Sequence, residues 1–355
     1  MAKKLMKGNE AIAEAAIQAG CRYFFGYPIT PQNQIPEYMS WRLPQVDGVF
    51  LQAESEVAAI NMVYGAAGAG ARVMTSSSSP GISLKMEGIS YIAGAELPAV
   101  IVNMVRGGPG LGSIQASQGD YFQATKGGGH GDDHMIVLAP ASIQEACDLV
   151  GDAFDLADIY RTPVMLLGDG MIGQMMEPVE LKPRKKRDLP EKAWATTGWS
   201  DKSRPRAIVN SLYIEPEQLE ELNTRMLVRY ALIEKRETRW EEYNTENADV
   251  IVCAYGTCAR IVKSAIALAE QKGVKAGLFR PVTLWPYPTE ALNKCAAQKS
   301  VKSVLSVEMC AGQMVEDVKL AINGEKPVEL LAKLGSMVPS PEEICDKIIA
   351  IKEGK

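Results

Sequence analysis

No apolar run in the sequence approaches the ~20 residues that a membrane-spanning helix needs, and stretches such as Ala99 to Val102 are far shorter. The N-terminus, Met1-Ala2-Lys3-Lys4-Leu5-Met6-Lys7, is basic, yet no hydrophobic segment of signal-peptide length follows it. The expectation is a soluble, cytoplasmic protein with no membrane contact. Histidine is scarce, with only 2 in the chain, His130 and His134, and aromatic residues make up 6%. The 7 cysteines are odd in number, scattered and never spaced C-x-x-C. That speaks against a disulfide framework and against an iron–sulfur cluster ligated by this chain. Any redox metal centre is expected on another chain. A cationic excess is missing too: 38 Lys and Arg against 43 Asp and Glu give a net charge of −5, which argues against nucleic acid as a partner.

What is present is a globular composition. Of the 355 residues, 46% are hydrophobic and 23% charged, enough apolar surface to offset chain entropy and a length that suits two domains. Abundant glycine (31) and alanine favour an α/β protein with tight strand-to-helix turns. Asn9 is placed to cap a helix from Glu10 to Ala19 that ends at Gly20. Short strands are expected at Cys21 to Gly26, Val49 to Gln52, Ala71 to Thr75, Ala99 to Met104, Met135 to Leu138 and Pro163 to Leu167. Helices are expected from near Glu54 and after Ser76-Ser77-Ser78-Ser79-Pro80-Gly81. Alternation of this kind builds a parallel sheet covered by helices on both faces.

Near Glu180 the pattern breaks into a basic run, Lys182 to Arg187, and a polar stretch to Pro205. A charged helical segment, about Glu215 to Asn244, follows, and the whole reads as an interdomain connection that wraps a neighbour. From Ala248 a second α/β unit begins. Its strands are expected at Asp249 to Ala254, Lys275 to Phe279 and Val301 to Glu308, and its helices at about Ala259 to Lys272, Glu290 to Gln298, Gly312 to Ile322 and Glu342 to Lys352. The domain expectation is 1–190, a linker 191–247, and 248–355.

Open α/β sheets place ligands beyond the carboxyl ends of their strands. Tyr27 to Pro31, Gln52 to Glu56, Thr75 to Gly81 and Arg106 to Gly112 all fall there. Glu54 and Glu56 stand where a strand hands over to a helix. Either both are solvated and complement the helix dipole, or one is buried and shares a proton with a ligand nitrogen. Arg106 beside a glycine-rich loop suits an anionic substrate. Ser76 to Ser79 reads equally as a plain helix cap. His130-Gly131-Asp132-Asp133-His134 has the spacing of a metal site, but its glycine flanks break the helix such a site needs, and His134 is expected at the surface. Cys253 reads as a buried strand residue and Cys258 as a loop residue.

The words YPITP, QAESEVAAINMVYGAAGAGARVMTSSSSPGISLKMEGISYIAGAELPAVIVNMVRGGPGLG and KGGGHGD resemble the α subunit of 2-oxoacid:ferredoxin oxidoreductases, the branched-chain (2-oxoisovalerate) type above all. RPVTLWPYP at Arg280 to Pro288 and VEMCAGQM at Val307 to Met314 resemble the C-terminal domain shared with transketolase-like enzymes. The resemblance implies a pyrimidine-binding α/β domain for thiamine diphosphate and a smaller transketolase C-terminal-like domain. It implies that Glu56 is the cofactor-activating acid at the ring nitrogen, with Glu54 the alternative. Thr30 and Arg106 match residues that bind the 2-oxoacid carboxylate, while Pro28, Ile29, Ser77 and Ser78 would line the cofactor. His130 would be a polar group on the substrate side.

Gly168-Asp169-Gly170 has the family's metal-binding start, but the next asparagine is Asn210, beyond the basic linker. That motif therefore reads as a strand-end turn. The diphosphate and its Mg2+ are then expected on a diphosphate-binding beta subunit, with the cofactor lying between chains. The resemblance further implies a gamma subunit, a ferredoxin-like [4Fe-4S] subunit, ferredoxin as electron acceptor and coenzyme A as acyl acceptor. Lys182 to Arg187 would meet the coenzyme A phosphates or be a solvated linker. The loop after Arg106 offers no cation before Lys126, and its Leu111 and Ile114 suggest an apolar wall. A branched-chain 2-oxoacid is the expected substrate; a 2-oxoglutarate enzyme and a non-catalytic scaffold are the alternatives.

Overall fold

The computed structural model describes residues 3–182 and 187–354. The basic run therefore lies partly outside the described residues. At its ends Lys182 meets Glu180 at 3.3 Å and Arg187 meets Asp152 at 3.5 Å.

Runs of Val, Ile, Leu and Met with no polar alternation form strands buried on both faces. Val73–Ser77, Ala99–Gly107 and Pro163–Asp169 are buried at every position. They form the middle of an eight-stranded sheet. Its order is Thr283–Trp285, Ile136–Leu138, Pro163–Asp169, Ala99–Gly107, Val73–Ser77, Tyr23–Gly26 and Val49–Gln52, with Ser113–Ala116 paired to Ala99–Gly107 off that path. Pairing is parallel from Ile136–Leu138 across to Val49–Gln52. The second sheet runs Trp240–Tyr243, Ala276–Pro281, Val250–Cys253, Ser303–Glu308 and Val328–Ala332, parallel except for its first strand. Lys4–Lys7 and Met176–Val179 make a separate antiparallel ribbon.

Several expectations shift. The first helix is Gly8–Gln18, and Asn9 lies inside its first turn rather than capping it. Fully buried, Asn9 donates to the Pro31 carbonyl and to Gln34 Oε1, both at 2.8 Å, because the loop that follows strand Tyr23–Gly26 packs directly on it. The segment expected as helix from Glu215 to Asn244 divides into helix Pro216–Glu237 and strand Trp240–Tyr243, whose β-favouring aromatics pair with Ala276–Pro281. Cys258 is a buried residue of helix Gly256–Gln271, not a loop residue. The stretch 187–215 contains no helix or strand, and it is pinned to the first sheet's helices by Lys192–Asp158 at 2.6 Å and by Thr196 bonding the Gly68 carbonyl.

The two halves share contacts. Strand Thr283–Trp285 leaves the second half to pair antiparallel with Ile136–Leu138 of the first sheet. Gln118 donates to the Tyr255 carbonyl at 3.0 Å and accepts from the Met309 amide at 3.0 Å.

The order of the first sheet fixes where a ligand can sit. From Tyr23–Gly26 the chain moves outward to Val49–Gln52 on one side, then returns to Val73–Ser77 on the other. Successive connections thus leave in opposite directions at the carboxyl ends of Tyr23–Gly26 and Val73–Ser77. That reversal opens a crevice, the usual ligand position in such sheets.

Candidate active site

Ser55 decides how the two acids are presented. Its extended backbone and its hydroxyl, which accepts from the Ala58 amide at 3.2 Å, make it the N-cap of helix Glu56–Gly68. The helix therefore starts at Glu56, leaving Glu54 outside it and exposed, while Glu56 retains only 6% of its surface. Gly81 makes room for it. A Cβ there would lie 2.6 Å from Glu56 Oε1 and 2.1 Å from Ser77 Oγ, so only glycine lets the two helix starts approach this closely.

Arg106 ends strand Ala99–Gly107 with 7% of its surface exposed. Its Nη1 donates to the Thr30 carbonyl at 3.0 Å, and its amide donates to Ser79 Oγ at 3.1 Å. The structure thus brings the Thr30 loop, the Ser77–Ser79 turn and Arg106 together at the crevice. Pro28 is exposed and Ile29 and Thr30 are half-buried on the same loop. Ser76 turns the other way and donates to Gln32 Oε1 at 2.5 Å.

Several buried polar atoms here have no protein partner: Ser77 Oγ, Ser78 Oγ, Arg106 Nε and Asn103 Oδ1. Native folds satisfy nearly all buried polar atoms, so a cluster of orphans at a sheet's carboxyl edge marks ligand space. Asn103 donates its amide to Asp120 Oδ2 at 2.9 Å, and burial raises the Asp120 carboxyl above the ordinary range. Lys85 also lies here, wholly buried, with Nζ 2.7 Å from Thr75 Oγ1.

Lys85, Gln32, Asn103 and Asp120 were not singled out in the sequence. One signal existed for Lys85: it shares the helical stripe of Ile82, Met86 and Ile89, all buried.

His130 is not part of this cluster. It is exposed, its ring edge-on to Tyr91 at 5.9 Å, and its carbonyl accepts from Ser90 Oγ at 2.7 Å. Those partners sit eleven residues along helix Ser79–Gly94 from Ser79, about 16 Å at the helical rise, because the glycine-rich loop carries His130 to the helix's far end. His134 is half-buried instead of at the surface. Its ring stacks on Trp285 at 4.7 Å, since strand Thr283–Trp285 joins the sheet beside it, and burial pulls its pKa down. Asp169 of the Gly-Asp-Gly word caps helix Gly170–Gln174, its Oδ1 accepting from the Met171 and Ile172 amides at 2.9 and 3.0 Å. Leu111 and Ile114 stand outward, 81% and 54% exposed.

Residues 14–247 match the family model described as pyruvate flavodoxin/ferredoxin oxidoreductase, thiamine diP-binding, and 248–344 match pyruvate:ferredoxin oxidoreductase core domain II. The chain belongs to the 2-oxoacid:ferredoxin oxidoreductase family. Within that family it is 49% identical to the ketoisovalerate oxidoreductase subunit VorB of Methanothermobacter marburgensis, over 98% of this chain and 97% of the relative. It is 39% identical to the 2-oxoglutarate synthase subunit KorA of Methanothermobacter thermautotrophicus, over 97% of each chain. Among solved structures, the 2-oxoglutarate:ferredoxin oxidoreductase from Magnetococcus marinus, with 2-oxoglutarate, coenzyme A and succinyl-CoA bound, superposes with TM-score 0.85 at 26% identity. That match covers 99% of this chain and 65% of the other. A split-gene transketolase in an inactive beta4 tetramer shares the fold, with TM-score 0.61 and 14% identity over 98% of both chains. The oxidoreductase family is thus an α/β one with transketolase-like architecture, and its members of this kind are subunits of larger enzymes.

Proposed function

We propose that this chain is the pyrimidine-side subunit of a thiamine-diphosphate-dependent 2-oxoacid:ferredoxin oxidoreductase that decarboxylates a branched-chain 2-oxoacid and yields an acyl-CoA. The observation that carries the reading is the buried Glu56 carboxyl, which accepts no hydrogen bond from any described residue, beside the orphaned Ser77, Ser78 and Arg106 atoms. These residues fit an aminopyrimidine and a carboxylate. Bound thiamine diphosphate supplies the carbanion-stabilising chemistry that 2-oxoacid decarboxylation requires.

The chain's own residues have separate tasks. Glu56, fixed at the first position of its helix, holds the proton that a pyrimidine ring nitrogen shares. Arg106 is anchored by one nitrogen to the Thr30 carbonyl, which leaves Nε to meet the substrate carboxylate. Thr30 adds a neutral hydroxyl there, and Pro28, Ile29, Ser77 and Ser78 line the cofactor. Asp169 is turned into its own helix, which supports assigning the diphosphate and Mg2+ to a beta subunit. The exposed apolar rim around the crevice, Tyr27, Leu51, Val57, Leu84, Leu111 and Ile114, supports closure of the site by that partner. The reading also includes gamma and [4Fe-4S] subunits, electron delivery to ferredoxin and a cytoplasmic location. Its domain division is 1–190, 191–247 and 248–355, supported by the change of family model at 247/248.

The substrate class follows from the cations. A second carboxylate, as in 2-oxoglutarate, needs a second one, because a buried unpaired charge is costly. Lys126, the first cation after Arg106, is paired with Asp317, and Lys85 is spent on Thr75 and Ser76. We expect kcat/KM of the assembled complex to favour 2-oxoisovalerate over 2-oxoglutarate. A ratio the other way means that a partner subunit brings a second cation into the pocket.

A further inference from the structure

Lys85 has no role in the chemistry above, yet it is a lysine with no exposed surface in the middle of helix Ser79–Gly94. Charged side chains are almost never buried this completely unless paired. Its Nζ donates to Thr75 Oγ1 at 2.7 Å and to the Ser76 carbonyl at 3.0 Å, two neutral acceptors on the strand that ends in Ser77. The ammonium therefore sits behind the crevice wall with no carboxylate in direct contact. One charge does act on it, that of Glu56, which lies against Gly81 one turn earlier on the same helix.

We propose that Lys85 is a positioning residue that sets how tightly Glu56 holds its proton, acting from behind the Thr75–Ser77 strand end. The inference rests on the reading of Glu56 as the cofactor-facing acid. An ammonium in a low-dielectric site stabilises a neighbouring carboxylate and loosens the proton that the carboxyl would otherwise retain. Burial lowers Lys85 to about 7 while Glu56 pulls it upward, so the cation is present below neutral pH and fades above it. Strand Val73–Ser77 presents one neutral hydroxyl and one carbonyl to it, and helix Glu56–Gly68 presents Glu56. Asp120, raised by burial, bonds Ser79 at the start of the helix that carries Lys85.

The test uses the assembled complex loaded with thiamine diphosphate and Mg2+. Lys85→Met keeps the length and removes the charge; Thr75→Val removes one acceptor and leaves Glu56 untouched. The readouts are the pH midpoint of the near-ultraviolet circular dichroism band of the bound pyrimidine and the acid limb of kcat/KM. In Lys85→Met both are expected to move to higher pH by about one unit, about tenfold in proton affinity. Thr75→Val should move them the same way by less. An unmoved midpoint in a folded, loaded Lys85→Met complex overturns the proposal; if that variant does not assemble, an unmoved midpoint in Thr75→Val does so. Glu56→Gln is the control for the underlying reading: if it leaves the band unaltered, Glu56 does not face the cofactor, and it is that assignment that falls.

Discussion

Glu308 ends strand Ser303–Glu308 of the second sheet, and Glu56 opens the helix after strand Val49–Gln52 of the first, so both are buried carboxylates at the carboxyl edge of a mainly parallel sheet. Their surroundings differ completely. Glu308 accepts from Ser306 Oγ, Cys310 Sγ and the amides of Gln313, Met314 and Val315, all between 2.8 and 3.1 Å. It holds the start of helix Met314–Ile322 together. Glu56 accepts nothing from the described residues and lies beside the orphaned Ser77 hydroxyl at Gly81. A buried carboxylate that is fully bonded is structural; one without protein donors remains available to a ligand. The second sheet thus uses its edge to bind itself, and the first keeps its edge open.

The sharpest way to break this contrast is to neutralise each acid. Glu56→Gln should lower kcat of the complex by about 10²–10⁴-fold, the range for a general acid–base group, with little change in thermal midpoint. Near-normal turnover would move the role to Glu54. Glu308→Gln should do the reverse. An amide must turn a donor toward backbone N–H groups, leaving buried donors unpaired, so a loss of about 3 kcal/mol in unfolding free energy is expected from urea titration, with activity tracking the folded fraction. Unchanged stability would mean that the five bonds of Glu308 add little.

The smallest expected effect concerns Lys85. Its pKa falls from 10.5 to about 7 on folding, so between those values the unfolded chain carries a proton that the folded chain lacks. Stability from this residue therefore rises with pH across the window, by at most about 1.4 kcal/mol per unit, and is flat below it. Urea midpoints between about pH 7 and 8.5 should show this slope in the wild-type chain relative to Lys85→Met. Parallel curves would mean that Lys85 stays charged in the fold.

Much of the first sheet was readable because its strands are short uniform apolar words; Val49–Gln52 was placed at both ends. Glu56 and Arg106 were visible as polar residues at strand ends, where ligands sit in this architecture. Glu308 was legible only as the end of a strand, since the amides that bond it come from the following turn and helix. Lys85 was not legible as a buried charge, because only packing against Thr75 and Ser76 makes it one. The place of His130 beside Ser90 and Tyr91 was not legible, because sequence proximity to a glycine-rich word says nothing about which end of a helix a loop reaches.

The sequence by itself determined the alternation of strands and helices, a helix beginning near Glu54 and the family, because these depend on local patterns and on words a few residues long. Tertiary structure alone decided that strand Thr283–Trp285 crosses to the first sheet, that Glu308 is saturated and that Glu56 is not. Such outcomes turn on where groups far apart in sequence come to rest, and a carboxylate's fate depends on the donors that reach it.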